Sequence, residues 1–289
     1  MFGNPITIVH PGAFSNLIHL ERLSVTSTQL TNIQSYGTYG TFSNLPKLKD
    51  LFLDKNNLSI IRPGTFSNLP SLELLYLTGN KLTDIEPGAF TKVPKLETLY
   101  LKNNHLSQFH PESFSNLPKL RILDLSSNMI SKVDSDAFSK IPTLRELGLE
   151  SNQITYIQPD TFKFLPQLER LEMASNQITN IVPNSFLNLP QLQRLELDSN
   201  LITKIQPAVF SNLPNLQALH LQSNQMTSIQ PDTFSNLPKL TRYGLKLHNN
   251  PWQCDCRMVA FRLRLAMSQL FEDKIICEEP VRFACVLSA

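Results

Sequence analysis

The sequence predicts an α/β repeat fold. It is a solenoid with a curved parallel β-sheet on its concave face, short 3₁₀ or extended segments on its convex face, and a cysteine-rich cap at its C-terminal end. Three observations predict it. An asparagine recurs at Asn56, Asn80, Asn104, Asn128, Asn152, Asn176, Asn200 and Asn224, each 24 residues after the last. A phenylalanine recurs in phase at Phe66, Phe90, Phe114, Phe138, Phe162, Phe186, Phe210 and Phe234, with Phe14 and Phe42 ahead of them. The four cysteines, Cys254, Cys256, Cys277 and Cys285, all fall in the last 36 residues. Length alone would allow two globular domains, but a fixed period overrides that expectation, because stacked units grow in one dimension and share one core.

The unit from Leu120 to Leu144 shows the physics. It reads Leu120, Leu123, Leu125, Asn128, Ile130 and Val133, then Phe138, Ile141 and Pro142. Leu123 and Leu125 flank a single residue, so both point to one face of a short strand and Asp124 to the other. Asn128 then interrupts the apolar set, which is tolerable only if its amide is hydrogen-bonded to backbone groups of neighbouring turns. Phe138 returns the chain to the core on the far side. Most of the 20 prolines fall in two columns, Pro46 through Pro238 and Pro11 through Pro231. Segments so bounded suit extended or 3₁₀ turns rather than long helices.

This pattern resembles the leucine-rich repeat, in the extracellular class found in Toll-like receptors, Slit-type proteins and the variable lymphocyte receptors of jawless vertebrates. The resemblance covers nearly the whole chain and implies a leucine-rich repeat solenoid with a C-terminal disulfide cap. It divides the chain into a partial N-terminal repeat at 1–19, repeats at 20–247 and a cysteine-rich cap at 248–289.

In order along the chain, residues 1–19 read as the tail of a unit. Ile6, Val9, Pro11, Phe14 and Leu17 match Leu58, Ile61, Pro63, Phe66 and Leu69. The cysteine-bearing N-terminal cap of the family is absent from this sequence, so the first turn is expected to expose core and to meet a partner or a second copy, or to mark a truncation. The next repeat, from Leu20, carries Thr28 in place of the ladder asparagine. It also has an insertion with Tyr36-Gly37-Thr38-Tyr39-Gly40, read as a tolerated convex loop. Regular units then start at Leu48, Leu72, Leu96, Leu120, Leu144, Leu168, Leu192 and Leu216. From Leu240 the period breaks. A two-residue shift that places Leu245, Leu247 and Asn250 in the strand and ladder positions is favoured over the old register, which would place His248 there. Asn250-Pro251-Trp252 is how the family's C-terminal cap opens, and Trp252 is expected to plug the core. Met258, Phe261, Leu265 and Leu270 approximate a helical stripe over the last repeat.

The four cysteines allow three pairings, and their spacing does not choose among them. The resemblance implies Cys254 with Cys277 and Cys256 with Cys285. Zinc ligation is the alternative for such a cluster, and the repeat context disfavours it. Paired disulfides imply an oxidising compartment, hence an extracellular protein, secreted or displayed. The net charge of +2 argues against a nucleic-acid surface. No run of 18 apolar residues predicts a membrane span. The sequence lacks a charged-then-apolar leader at its start, which implies either a removed leader or an added Met1. Asn57-Leu58-Ser59 is a weak glycosylation match.

Function is expected on the concave sheet, whose outward residues are free of core duty. The residue between the two strand leucines runs Ser24, Phe52, Tyr76, Tyr100, Asp124, Gly148, Glu172, Glu196, His220. Phe52, Tyr76 and Tyr100 should stand side by side at about 5 Å, with Leu74 and Ile122 extending the apolar area. Exposed apolar patches mark interaction sites, and aromatics are good anchors. Asp124, Glu146, Glu150, Glu172, Glu196 and Asp198 form an acidic stretch with Arg170 and Arg194 embedded; it either pairs with those arginines or steers a basic ligand. The candidate ligand-binding set is therefore Phe52, Leu74, Tyr76, Tyr100, Ile122, Asp124, Glu150, Glu172, Glu196 and His220.

Catalysis is not expected. Glu172 and Glu196 would sit near a retaining-glycosidase separation, but an open sheet encloses no pocket that excludes water. The serines Ser127, Ser151, Ser175, Ser199 and Ser223 form a turn column. The six histidines show no metal-ligand spacing, so neither a metal nor a cofactor is expected. The resemblance implies an immune-type recognition protein that binds a microbial or antigenic protein or glycan. The alternative is an adhesion or guidance module with one endogenous protein partner.

Overall fold

The computed structural model describes residues 3–253 except 15, 16, 34, 37, 38, 43, 207, 231 and 242, and at 35–36 and 39–40 the backbone alone. The cysteines, their pairings and the stripe from Met258 to Leu270 lie outside the described residues.

A ten-stranded parallel sheet runs the length of the molecule. Its strands are β1 (Arg22–Ser24), β2 (Asp50–Phe52), β3 (Leu74–Tyr76), β4 (Thr98–Tyr100), β5 (Ile122–Asp124), β6 (Glu146–Gly148), β7 (Arg170–Glu172), β8 (Arg194–Glu196), β9 (Ala218–His220) and β10 (Leu245–Lys246). Each pairs with the next in sequence, and the central leucines align from Leu23 through Leu51 and Leu123 to Leu219 and Leu245. These leucines are buried, while most of the residues on either side of them reach the concave surface. The alternation follows from the period of two along a strand.

The asparagine ladder joins the turns below the sheet. The Asn128 side-chain amide donates to the carbonyls of Leu125, at 3.0 Å, and of Leu101 in the preceding turn, also at 3.0 Å. Its carbonyl accepts the Leu106 N–H at 3.0 Å. Asn80, Asn104, Asn152, Asn176, Asn200 and Asn224 repeat this arrangement. In the irregular first unit, the Thr28 N–H and hydroxyl both donate to Asn56 Oδ1. The residue before each ladder asparagine is left-handed, with φ between 54° and 69° at Lys55, Gly79, Asn103 and Ser127. Short polar side chains and glycine tolerate that region best, which explains the serine column as turn chemistry.

Buried phenylalanines stack on the convex side, with Phe138, Phe162, Phe186, Phe210 and Phe234 at centroid spacings of 6.0, 6.2, 6.1 and 6.1 Å. Phe109 stands where Ile61, Ile85 and Ile157 stand in other units. Its larger ring wedges into the column, edge-on to Phe114 at 5.5 Å and tilted against Phe138 at 5.7 Å. The convex segments are short, as the prolines require: two-residue parallel pairs such as Ile60–Ile61 with Asp84–Ile85, and a 3₁₀ turn at Pro111–Phe114.

At the N-terminal end, Ile8–Val9 pairs with Asn32–Ile33, and Phe14 stacks on Phe42 at 5.6 Å. Ile8, Leu17 and Ile18 remain exposed. The tyrosine-glycine insertion is an antiparallel hairpin, Ser35–Tyr36 with Tyr39–Gly40. At the C-terminal end the two-residue shift is present. Leu245 lies beside Leu219, and Asn250 occupies the ladder, accepting from the Met226 N–H and donating to the Leu221 carbonyl. Gly244 permits the shift, because a Cβ there would lie 1.9 Å from the Gln217 carbonyl oxygen. Trp252 is buried in the core, its indole N–H donating to the Leu247 carbonyl at 3.1 Å.

Candidate functional site

Because β2, β3 and β4 are adjacent and in register, Phe52, Tyr76 and Tyr100 form a continuous row. Phe52 and Tyr76 lie 5.0 Å apart with planes at 14°, and Tyr76 and Tyr100 lie 4.6 Å apart at 21°. Those spacings match the distance between strands. The rings therefore stand on edge: each covers its neighbour's face and turns its rim, with the tyrosine hydroxyls, toward the open concavity. A ligand meets ring edges and hydroxyls rather than flat π-faces. Leu74 and Ile122, both half-buried, occupy the adjoining column on β3 and β5. The Tyr100 hydroxyl is held above its ordinary pKa by burial first, then by Tyr76, Asp124 and Glu146 around it.

The row ends at Asp124, whose Oδ1 accepts from the Ser126 N–H at 2.9 Å and the Ser126 hydroxyl at 2.5 Å. This carboxylate leans over β6, where Gly148 leaves room; a Cβ at 148 would lie 2.8 Å from Asp124 Oδ1. Glu146 and Glu150 flank the notch without an ion pair among the described residues.

Further along, the embedded arginines take the acids. Arg170 Nη2 lies 2.5 Å from Glu172 Oε1 and 3.4 Å from Glu196 Oε1, and Arg194 Nε binds the same Glu196 oxygen. Of the two readings of the acidic stretch, self-pairing describes Glu172 and Glu196. Burial raises the Glu172 pKa; Arg170 opposes it, and Glu196, Asp124 and Glu150 add to it. Arg170 between the two glutamates serves as their shared counter-ion and leaves neither placed as a free acid or base.

His220 closes the face on β9. It is 6% exposed, and burial lowers its pKa, with Lys246 and Arg194 contributing. A ring nitrogen of His220 and carboxylate oxygens of Glu196 and Asp198 lie within 4.8 Å of one another.

The sequence-derived set is thus two regions. Phe52, Leu74, Tyr76, Tyr100, Ile122 and Asp124 gather over β2–β5, with Glu150 just past the notch. Glu172, Glu196 and His220 belong to β7–β9, His220 roughly 24 Å from Tyr100 at the ordinary strand spacing. Sequence reasoning left Asp198 out of the binding set. The signal for it was present: Asp198 lies two residues after Glu196, on the same face.

The family model described as Leucine rich repeat matches residues 38–82, 75–130, 94–154, 142–202 and 190–251. Among solved structures, the chain is similar to one in a TLR13–ssRNA13 complex, with a TM-score of 0.71 and 30% identity over 76% of this chain and 32% of that one. The chain thus spans about a third of that relative's length. It is also similar in fold to a chain of an octameric complex of Latrophilin 3, Unc5D and FLRT2 (LRR), with a TM-score of 0.71 and 24% identity over 90% of this chain and 85% of that one. No curated protein matches the chain at a significant level.

Proposed function

The chain belongs to the leucine-rich repeat family, and from that premise we propose that it is an extracellular recognition protein. It binds a macromolecular ligand, a microbial or antigenic protein or glycan, on its concave face. The observation that carries this reading is the aromatic row. Phe52, Tyr76 and Tyr100 are pre-stacked, so they lose little conformational freedom when a partner covers them, and rigid aromatic anchors dominate binding energies. TLR13, the 30% identical relative, is seen in complex with ssRNA. Here the acidic side chains Asp124, Glu146, Glu150 and Asp198 on the concave face repel phosphate, so a protein or glycan is the ligand class.

The second reading is an adhesion or guidance module binding one endogenous protein. The fold likeness to a chain of the Latrophilin 3–Unc5D–FLRT2 complex, which covers most of both chains, favours it. One experiment separates the two: a screen of microbial surface components, glycans and candidate cell-surface proteins, run with wild type and a Phe52→Ala, Tyr76→Ala, Tyr100→Ala triple variant checked for folding. Microbial binding lost in the variant supports the first reading. A single tight protein partner lost in the variant supports the second. Binding that survives the triple change removes the aromatic row from both.

The same proposal includes a disulfide cap after Trp252, with Cys254 joined to Cys277 and Cys256 to Cys285 as the family resemblance implies. Peptide mapping without reduction tests it, and free thiols at these positions sink it. Ile8, Leu17 and Ile18 are proposed as a self-association face; a sedimentation profile that stays monomeric across concentration argues against that.

A further inference from the structure

The C-terminal part of the concave face carries a second arrangement, apart from the aromatic row on which the recognition reading rests. Glu196 and His220 are register partners on β8 and β9. Asp198 and Gln222 follow each of them by two residues, and the turns remain aligned there, since the Ser199 N–H donates to the Gln222 carbonyl. Side chains two apart on a strand share a face. Asp198 and Gln222 take the next outward positions just past the two strands, so neighbouring turns carry two carboxylates, an imidazole and an amide. Three of them already converge, with ligand atoms of Glu196, Asp198 and His220 within 4.8 Å of one another.

Acidic groups on a sheet are common without any ligand. Two further observations separate this cluster from that background. The His220 side chain, in a residue 94% buried by its 6% exposure, forms no hydrogen bond among the described residues. The Gln222 side-chain oxygen is fully buried and has no hydrogen-bond partner among the described residues. A buried polar group left unsatisfied costs about 1–3 kcal/mol, and such groups are normally accounted for by a partner, a water or an ion. That cost falls on the Gln222 oxygen, while the His220 nitrogens, unpartnered but not fully buried, stay open to a ligand.

We propose that Glu196, Asp198, His220 and Gln222 form a binding site for a divalent first-row transition-metal ion of the zinc type. The donor set selects the class. Imidazole nitrogen suits zinc, nickel and copper, whereas calcium and magnesium prefer all-oxygen shells. The imidazole must be neutral to ligate, and burial, with Lys246 and Arg194, lowers the His220 pKa against the opposing pull of Glu196 and Asp198. Arg194 occupies Glu196 Oε1 and leaves the second oxygen for the metal. Arg194 and Lys246 also repel a cation, so the affinity expected is on the order of micromolar.

The test is calorimetric titration of the purified chain with zinc chloride, beside Asp198→Asn and His220→Gln, with calcium and magnesium as counter-arms. The expected result is one saturable zinc site in the wild type and weaker or absent response to calcium and magnesium. Each substitution should lower the affinity at least by the roughly 10–100-fold that loss of a mere outer-shell partner brings. A parallel cobalt titration should show no sulfur-to-cobalt charge-transfer absorption, which separates this site from the cysteines. His220→Gln changes a buried position; if it does not fold, Asp198→Asn, half-exposed, decides the matter. No saturable binding by folded wild type, unchanged affinity in Asp198→Asn, or a thiolate band with cobalt overturns the proposal.

Discussion

The two halves of the concave sheet solve one problem in opposite ways. Both are built from the same three-residue strand with a buried leucine at its centre. On β2–β4 the central outward residues are aromatic and satisfy each other by stacking, leaving a half-exposed edge of ring rims and tyrosine hydroxyls. On β7 and β8 they are glutamates, paired through Arg170 and Arg194. The aromatic half is rigid and unsatisfied toward solvent, which is what a docking surface requires. Glu172 and Glu196 are taken up by their arginines, which lowers their value for steering a ligand. A row of like side chains in a solenoid is therefore an interaction surface only where no neighbouring column supplies its partners.

The strongest break is at the boundary between the halves. Asn128 → Leu removes donors to Leu101, Leu125 and Ser126 and the acceptor for Leu106. Several buried groups orphaned at about 1–3 kcal/mol each should cost about 3 kcal/mol or more. The denaturant midpoint should fall accordingly, and an unchanged midpoint refutes the ladder.

Next in size is the aromatic half taken alone. Tyr76→Ala removes the middle ring and both stacked contacts, each worth about 0.5–1.5 kcal/mol beyond burial; Phe52→Ala removes one. Thermal melts should rank Tyr76→Ala as the more damaging, and equal losses would mean that the rings do not act as a stack.

The charged half should respond less. Arg170→Ala frees Glu172 and leaves Glu196 to Arg194, but these partly exposed pairs contribute about 0–1 kcal/mol each. Stability should barely move in moderate salt, while a basic peptide should bind this half more strongly than before, measurable by fluorescence titration.

The smallest effect is a pH dependence. Burial holds the folded Glu172 carboxyl above its ordinary value, so its charged form weakens the fold. Its contribution is fully present below the unfolded carboxylate range and is lost as pH rises through the raised folded value. Glu172→Gln should flatten that part of the stability profile, and an identical profile in the variant would remove Glu172 as its source.

Much of this was legible in the sequence. The register of Phe52, Tyr76 and Tyr100 follows from a 24-residue spacing, whereas the shift that brings Asn250 to the ladder breaks that spacing and was legible from Leu245, Leu247 and the cap-like Asn250-Pro251-Trp252. Phe109 was harder. Its position in the isoleucine column is visible, but the wedge it drives between Phe114 and Phe138 depends on ring orientation. The Asp198–His220 approach was missed because the 24-residue spacing compares residues of one column across strands, whereas these two meet one column apart.

What the sequence determined by itself was the repeat, its period and its columns. Each is a one-dimensional regularity, and stacking the units in register buries the column leucines and phenylalanines while bonding the ladder asparagines. What the tertiary structure decided was the pairing on the exposed face. Arg170 has two glutamates in reach and takes both, Asp124 turns to Ser126 over the space left by Gly148, and Gly244 lets the last strand slip by two residues. Those choices rest on side-chain rotamers and on neighbours a whole turn away, and no period in the sequence encodes them.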